Sequence, residues 1–251
     1  SKIEWTEKTW NPISGCTKGY ENGFAVTLHR DKLDEPLKRK KPTMYFVCSM
    51  GDLFHEDVPF EFIDSIWAVM AAAGQHTFQI LTKRPDRMKE YLSQQKYSSN
   101  SLGIAIARIA GNKKTKDFLK PLPNVWLGVT AENQEQADKR IPILLDTPAA
   151  LRFVSVEPMI GGINLEIGEN EHIKLDWVIV GGETGTGARP LRYEWVKDIQ
   201  GQCEAANVPF FFKKWGKTAY QYGKVMNIAP ASVLAGFIDG VECRAMPEAT
   251  K

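Results

Sequence analysis

The chain has 251 residues, 43% of them hydrophobic and 25% charged, and a formal net charge of +2. That near-neutral balance is ordinary for a globular protein, and it neither requires nor excludes nucleic acid as a partner, because a local basic patch can sit on a balanced chain. No stretch approaches the roughly 18 uninterrupted apolar residues of a membrane span, and Ser1-Lys2-Ile3-Glu4-Trp5 lacks a signal peptide's apolar region, so the expectation is a cytoplasmic protein with no membrane partner.

Six short apolar runs follow one another along the chain, and each stops abruptly on polar or glycine-rich residues. Met44 to Cys48 ends before Ser49 and Asp52. A helix is predicted over Glu61 to Ala73, where Phe62, Ile63, Ile66, Trp67 and Met70 share one face behind an acidic first turn. Phe78 to Leu81 then ends on Thr82-Lys83-Arg84, and a second helix is predicted from Pro85 to Gln95. The segment 98–122 interrupts this rhythm and reads as an inserted helix with loops around Leu102 to Ala110.

Val125 to Val129 ends before Thr130 and Glu132, and a helix follows over Asn133 to Leu145, with Pro142 expected to kink or break it. Leu151 to Val154 ends before Ser155 and Glu157, and Trp177 to Val180 ends on Gly181-Gly182-Glu183. A helix is predicted over Tyr193 to Ala206, and Phe210 to Phe212 ends on Lys213-Lys214-Trp215-Gly216. Near-continuous apolar runs of this length read as strands buried on both faces, and their alternation with helices predicts a parallel α/β barrel or open sheet. The length suits a single domain over residues 1–216. Residues 217–251 read as a C-terminal cap, with a short helix expected at Ala231 to Ile238.

Ligands of parallel α/β folds sit at the carboxyl ends of the strands, so the polar stops are the candidate site. The most specific is Gly181-Gly182-Glu183-Thr184-Gly185-Thr186-Gly187-Ala188-Arg189, whose backbone could approach a carboxylate, ribose or phosphate closely; a plain strand-to-helix connection is the alternative. Glu157 suits ligand hydroxyls, or else is a surface carboxylate. Thr82-Lys83-Arg84 sets cations beside a helix start, where an anion would also feel the helix N-terminus, though a solvated turn reads nearly as well. Lys213, Lys214 and Trp215 join charge to an aromatic face that could stack on a base, or Trp215 simply packs on the rim.

Cys16, Cys48, Cys203 and Cys243 form no CxxC pair, so neither a zinc ribbon nor a disulfide framework is indicated. Cys48 and Cys203 read as core residues. Cys16 follows the turn-forming Asn11-Pro12-Ile13-Ser14-Gly15, which would expose its thiol. His29, His55, His76 and His172 form no HxH or HExxH pattern, which argues against a hydrolytic metal barrel.

Taken together, Trp10-Asn11-Pro12-Ile13-Ser14-Gly15-Cys16, Ser49-Met50-Gly51-Asp52-Leu53-Phe54-His55, Leu81-Thr82-Lys83-Arg84-Pro85, Val129-Thr130-Ala131-Glu132-Asn133, Ser155-Val156-Glu157-Pro158 and Gly181-Gly182-Glu183 resemble a phage-encoded and bacterial family of three-cysteine proteins of unknown function. That family looks like a divergent branch of the radical S-adenosylmethionine (SAM) enzymes. The resemblance implies a partial (β/α)6 barrel, a 4Fe-4S cluster held by three cysteines in the loop after the first strand, and SAM bound at the fourth iron. An electron donor would be needed to generate the 5′-deoxyadenosyl radical.

Carried over residue by residue, Cys16 would be a metal ligand, and Ser49 and Asp52 would lie at the methionine amine end of SAM. Thr82, Lys83, Thr130 and Glu132 would approach its carboxylate and ribose, and Gly181 and Gly182 would pass beside the adenine. Glu157, Glu183 and Lys213 are the candidate catalytic residues, and Arg189 and Trp215 the candidate substrate contacts. The substrate class suggested is a nucleotide or nucleic acid, with a protein partner also open.

The chain departs from the family pattern after Cys16. It passes from Thr17-Lys18 directly to Gly19-Tyr20, where the other two cysteines would stand. Either the loop was lost naturally or a segment is missing between Lys18 and Gly19; loops that wait for a metal are commonly unfolded without it, which favours the second. The rival readings are a cluster-less barrel acting as a nucleotide- or protein-binding module, and a non-redox phosphate-binding barrel using Glu157 and Glu183 as acid and base.

Overall fold

The structure is a computed structural model, and it describes residues 3–16, 24–94, 121–167, 174–225 and 236–247. The chain divides into two compact units, Ser1–Gly128 with Asp146–Leu151, and Val129–Leu145 with Arg152–Lys251.

In the first unit, β1 (Lys8–Trp10) leads into a hairpin of β2 (Ile13–Cys16) and β3 (Phe24–Leu28), and a single 3-10 turn at Arg30–Lys32 precedes the short helix α1 (Glu35–Lys38). Then come β4 (Met44–Val47), α2 (Phe60–Ala72), β5 (Thr77–Thr82), α3 (Pro85–Gln94) and the start of β6 (Val125–Thr130). The strand order is β1-β4-β5-β6. β1 and β5 both run parallel to β4, with Trp10 opposite Val47 and Val47 opposite Ile80. On α2 the five apolar residues of the predicted face are all buried.

The second unit holds α4 (Gln134–Leu145), β7 (Leu151–Val156), β8 (Trp177–Gly181), β9 (Leu191–Arg192), α5 (Tyr193–Ala205) and β10 (Phe210–Lys214). β7, β8 and β10 are neighbours, and both β7 and β10 run parallel to β8. The chain ends in β11 (Ala219–Gln221), β12 (Lys224–Val225) and a hairpin of β13 (Phe237–Ile238) and β14 (Val241–Glu242). β11 pairs parallel with β9 and antiparallel with β12.

The fold is therefore mixed α/β on parallel strands, as the apolar runs predict. Every residue of β6 and β8 is buried, which is why those runs lack polar alternation. Trp10, Trp126 and Trp177 are among the largest fully buried side chains, and each buried aromatic removes about 150–250 Å² from water.

Three expectations are corrected. β1 joins the parallel strands although it was not among the six runs; only Trp10 of its three residues is buried, so it carries no apolar signature. α4 runs through Pro142 to Leu145, so the proline ends nothing there. Ile238 lies in a strand, not a helix, while residues 231–235 of that expected helix lie outside the described residues, as do the 98–120 part of the expected insertion and the Lys18–Gly19 junction. Residues 243–245 run along β10, with Phe212 N–H donating to the Cys243 carbonyl at 2.6 Å and Ala245 N–H to that of Phe210 at 3.0 Å, so this part of the expected cap covers an edge strand that would otherwise present unpaired backbone.

Candidate functional site

Each unit carries polar residues at its strand ends. In the first unit, β4 stops at Val47, and Cys48 turns the chain with φ of 59°, a left-handed conformation that costs a non-glycine residue about 1 kcal/mol or more. This turn delivers Ser49 and Asp52. Ser49 donates its hydroxyl to Asn11 Oδ1 at 3.0 Å. Gly51 forms a parallel bridge with Gly15, and a side chain on Gly51 would meet the Gly15 carbonyl at 3.1 Å, so this glycine brings the Cys16 strand against the turn.

Asp52 is 6% exposed and collects donors from two strand ends. Its Oδ1 accepts from Thr82 Oγ1 at 2.7 Å and from Phe54 N–H at 2.9 Å; its Oδ2 accepts from Lys83 N–H at 3.1 Å and from Arg84 at 3.4 Å. Arg84 N–H closes the circuit by donating to Thr82 Oγ1 at 2.9 Å. The Arg84 guanidinium also binds Glu56 at 2.8 Å. Glu56's own backbone N–H, then the Arg84 side chain, hold the Glu56 carboxyl down at about 2. The structure thus joins Asp52, Thr82 and Lys83, and adds Glu56 together with Arg84, which the sequence showed as a cation beside the helix start but not as Asp52's partner. Arg84 had one visible signal, its place next to Thr82-Lys83; nothing in the sequence announced its pairing with Glu56. The Lys83 side chain is exposed.

In the second unit each carboxylate predicted at a strand end meets a cation. Past the end of β6, Glu132 binds Arg140 at 2.8 Å, both side chains being 12% exposed, and the same guanidinium donates to the Thr130 carbonyl at 2.6 Å. Arg140 stands two turns along α4, so nothing in the strand-end motif announces it. After β7, Glu157 binds Lys213 at 2.7 Å. Lys213 reaches it because β10 bulges there: Phe212 pairs with Val180 and Lys214 with Gly181, leaving Lys213 as the extra residue whose side chain is re-aimed. After β8, Glu183 takes a fork of hydrogen bonds from Arg189, Nε at 2.8 Å and Nη2 at 2.9 Å, with Arg189 N–H adding a third at 2.8 Å. The Arg189 side chain, then its backbone N–H, hold the Glu183 carboxyl down at about 2, and the pairing raises Arg189.

The glycines serve close backbone packing. A side chain on Gly181 would press on the Glu157 carboxyl carbon at 3.3 Å, and one on Gly182 would overlap the Trp215 carbonyl at 2.2 Å. Gly216, at φ of 84°, would meet the Glu183 carbonyl at 2.5 Å if it carried a Cβ. Gly182 N–H donates to the Lys214 carbonyl at 2.8 Å and Lys217 N–H to that of Glu183 at 2.9 Å, so the loops after β8 and β10 are locked backbone to backbone. Trp215 is 4% exposed, stacks on Tyr193 at 6.0 Å, meets Phe212 edge-on at 4.7 Å and donates Nε1–H to the Phe237 carbonyl at 3.1 Å. Its ring is a packing element in this conformation.

Of the cysteines, Cys16 closes β2, and its side chain lies outside the described residues. Burial pushes the Cys48 thiol far up and the Cys203 thiol up to about 12; it also raises Cys243. No cluster of three or more His, Cys, Asp or Glu that could hold a metal occurs among the described residues. No described helix is long and apolar enough to cross a membrane.

Residues 18–247 match a protein family described as "Protein of unknown function (DUF5131)". No curated protein and no solved structure matches the chain.

Proposed function

We propose that this chain, which belongs to the DUF5131 family, is a radical SAM-type enzyme that binds S-adenosylmethionine at the carboxyl ends of its parallel strands. The observation that supports the reading best is the run of polar strand ends within the second unit: Glu132 past β6, Glu157 after β7, Gly181 to Glu183 at β8 and Lys213 in β10. SAM carries an ammonium, a carboxylate, a ribose diol and a flat base. Glu132 and Glu157 would take the ammonium and ribose hydroxyls, and the backbone at Gly181 and Gly182 would pass beside the adenine. Arg140 and Lys213 each bind one of the two carboxylates, at 2.8 and 2.7 Å, and so hold it in place as a positioned acceptor.

The cluster of such enzymes supplies the electron that breaks SAM. The thiols described here do not fit it, because Cys48 and Cys203 are buried and held protonated. Cys16 would need two further thiolates, and the resemblance puts them at the Lys18–Gly19 junction. With them the chain, given an electron donor, acts on a nucleotide or nucleic acid; without them it is a SAM- or nucleotide-binding module. The acid–base alternative is weakened, since a Glu183 carboxyl held at about 2 by Arg189 is too weak a base, and too strong an acid, to suit proton transfer near neutral pH.

Isothermal titration of the chain with SAM should show saturable binding that Glu157→Gln weakens by about 10-fold, the loss of one charge-assisted contact. Absence of binding would sink the reading. Sequencing the gene across codons 18 and 19 separates enzyme from module, and where cysteines are found, the anaerobically iron-loaded protein should release 5′-deoxyadenosine on reduction.

A further inference from the structure

A cleft of about 590 Å³ opens in the second unit, just past the Arg189 that binds Glu183, and its wall includes Pro190, Arg192, Glu194, Trp195, Tyr220 and Tyr222. We propose that this cleft binds single-stranded nucleic acid by stacking its bases. Three aromatic rings line one concavity, and Tyr222 is 77% exposed, an exposure that a ring with only a packing role does not need. The backbone fixes the arrangement: Tyr220 pairs in parallel register with Arg192, placing both on one face, and α5 begins at the next residue, so Trp195 lies in its first turn. The Arg192 guanidinium lies 5.1 Å over the Trp195 ring, which holds a cation beside the stacking surface.

Charge selects the ligand. Arg192 is exposed in the cleft, and exposed Lys224 follows its Gly223 lip. Glu194, the carboxylate among the described residues of the wall, is engaged by the Tyr222 backbone N–H, which keeps the Tyr222 loop in place and lowers the carboxyl's pKa. Aromatic faces with fixed cations suit bases joined by phosphates; a duplex, whose bases are already stacked, offers no free faces to these rings. The inference deepens the substrate class of the proposed function and rests on that reading for its link to catalysis, but binding requires neither iron nor SAM.

Fluorescence anisotropy with a labelled twelve-nucleotide oligothymidylate, on the full chain without cofactor, should show saturable binding that falls as salt is raised. Tyr222→Ala should weaken it about 10-fold, while Tyr222→Phe, which keeps the ring, should bind as the parent does. The ring is exposed, so neither variant removes core packing, and circular dichroism checks the fold. Equal binding of a twelve-base-pair duplex, an unaffected Tyr222→Ala variant, or preference for a proline-rich peptide would overturn the inference. SAM binding without oligonucleotide binding defeats this inference alone; oligonucleotide binding without SAM binding defeats the cofactor reading alone.

Discussion

Asp52 organises its strand end by accepting from four donors on one carboxylate, and its role there is structural whatever ligand comes to the site. Replacing it with asparagine turns one acceptor oxygen into a donor facing donors, and it removes a counter-charge from an Arg84 side chain that is 8% exposed. Breaking a buried pair on one side costs about 3 kcal/mol, which for a chain of this size lowers the melting temperature by about 6–12 °C. Calorimetry of Asp52→Asn should show it, and a drop under about 2 °C would mean that the network carries little. Glu183 lends itself to a pH test. Its folded pKa of about 2 lies below the ordinary 4.5, so the stability from its Arg189 fork is fully present above about pH 4.5 and is lost as pH falls toward 2. Melting temperature followed from pH 5 to 2 should therefore fall more steeply in the parent than in Arg189→Gln, and parallel curves would show that the fork adds nothing.

At the scale of elements, what was legible is what burial writes into sequence. All six apolar runs are strands, and the four amphipathic segments are helices α2 to α5 within a residue or so of their expected ends, because a buried face forces a period on the residues that make it. The carboxylates at the strand ends were legible for the same reason, each standing where apolar character stops. Their partners were not. Arg140 lies on a helix and Lys213 is aimed by a bulge, and both relations are set by register between elements distant in sequence. β1 and the hairpin of β13 and β14 are too short to hold a period, so pairing alone defines them. Within α5, Gly201 is a local inconsistency: it is exposed, and a methyl group there would meet nothing within 4 Å. Gly201→Ala should stabilise the chain by about 0.5–1 kcal/mol, and chemical denaturation should show a raised midpoint with an unchanged slope. A lowered midpoint would mean that the helix packs differently at that residue.

For the whole molecule, the question of function turns on which thiols are available. A cluster needs thiolates, and burial opposes thiolate formation at Cys48 and Cys203, so neither can stand in for a missing ligand without unfolding its surroundings. Cys243 is half-buried and its thiol is also raised, chiefly by desolvation. Titration of the native chain with Ellman's reagent should therefore leave Cys48 and Cys203 silent until denaturant is added, whereupon all four cysteines react. Anaerobic loading of the same chain with iron and sulfide should then give far less than the about four irons per chain of an intact cluster. If the gene encodes two cysteines between codons 18 and 19, the protein carrying them should take up that full complement, and mutating Cys16 to serine should abolish it while Cys48→Ser should not. Full uptake by the chain without added cysteines would place a cluster on thiols that the fold keeps buried, and would overturn the assignment of Cys16 as the first of three.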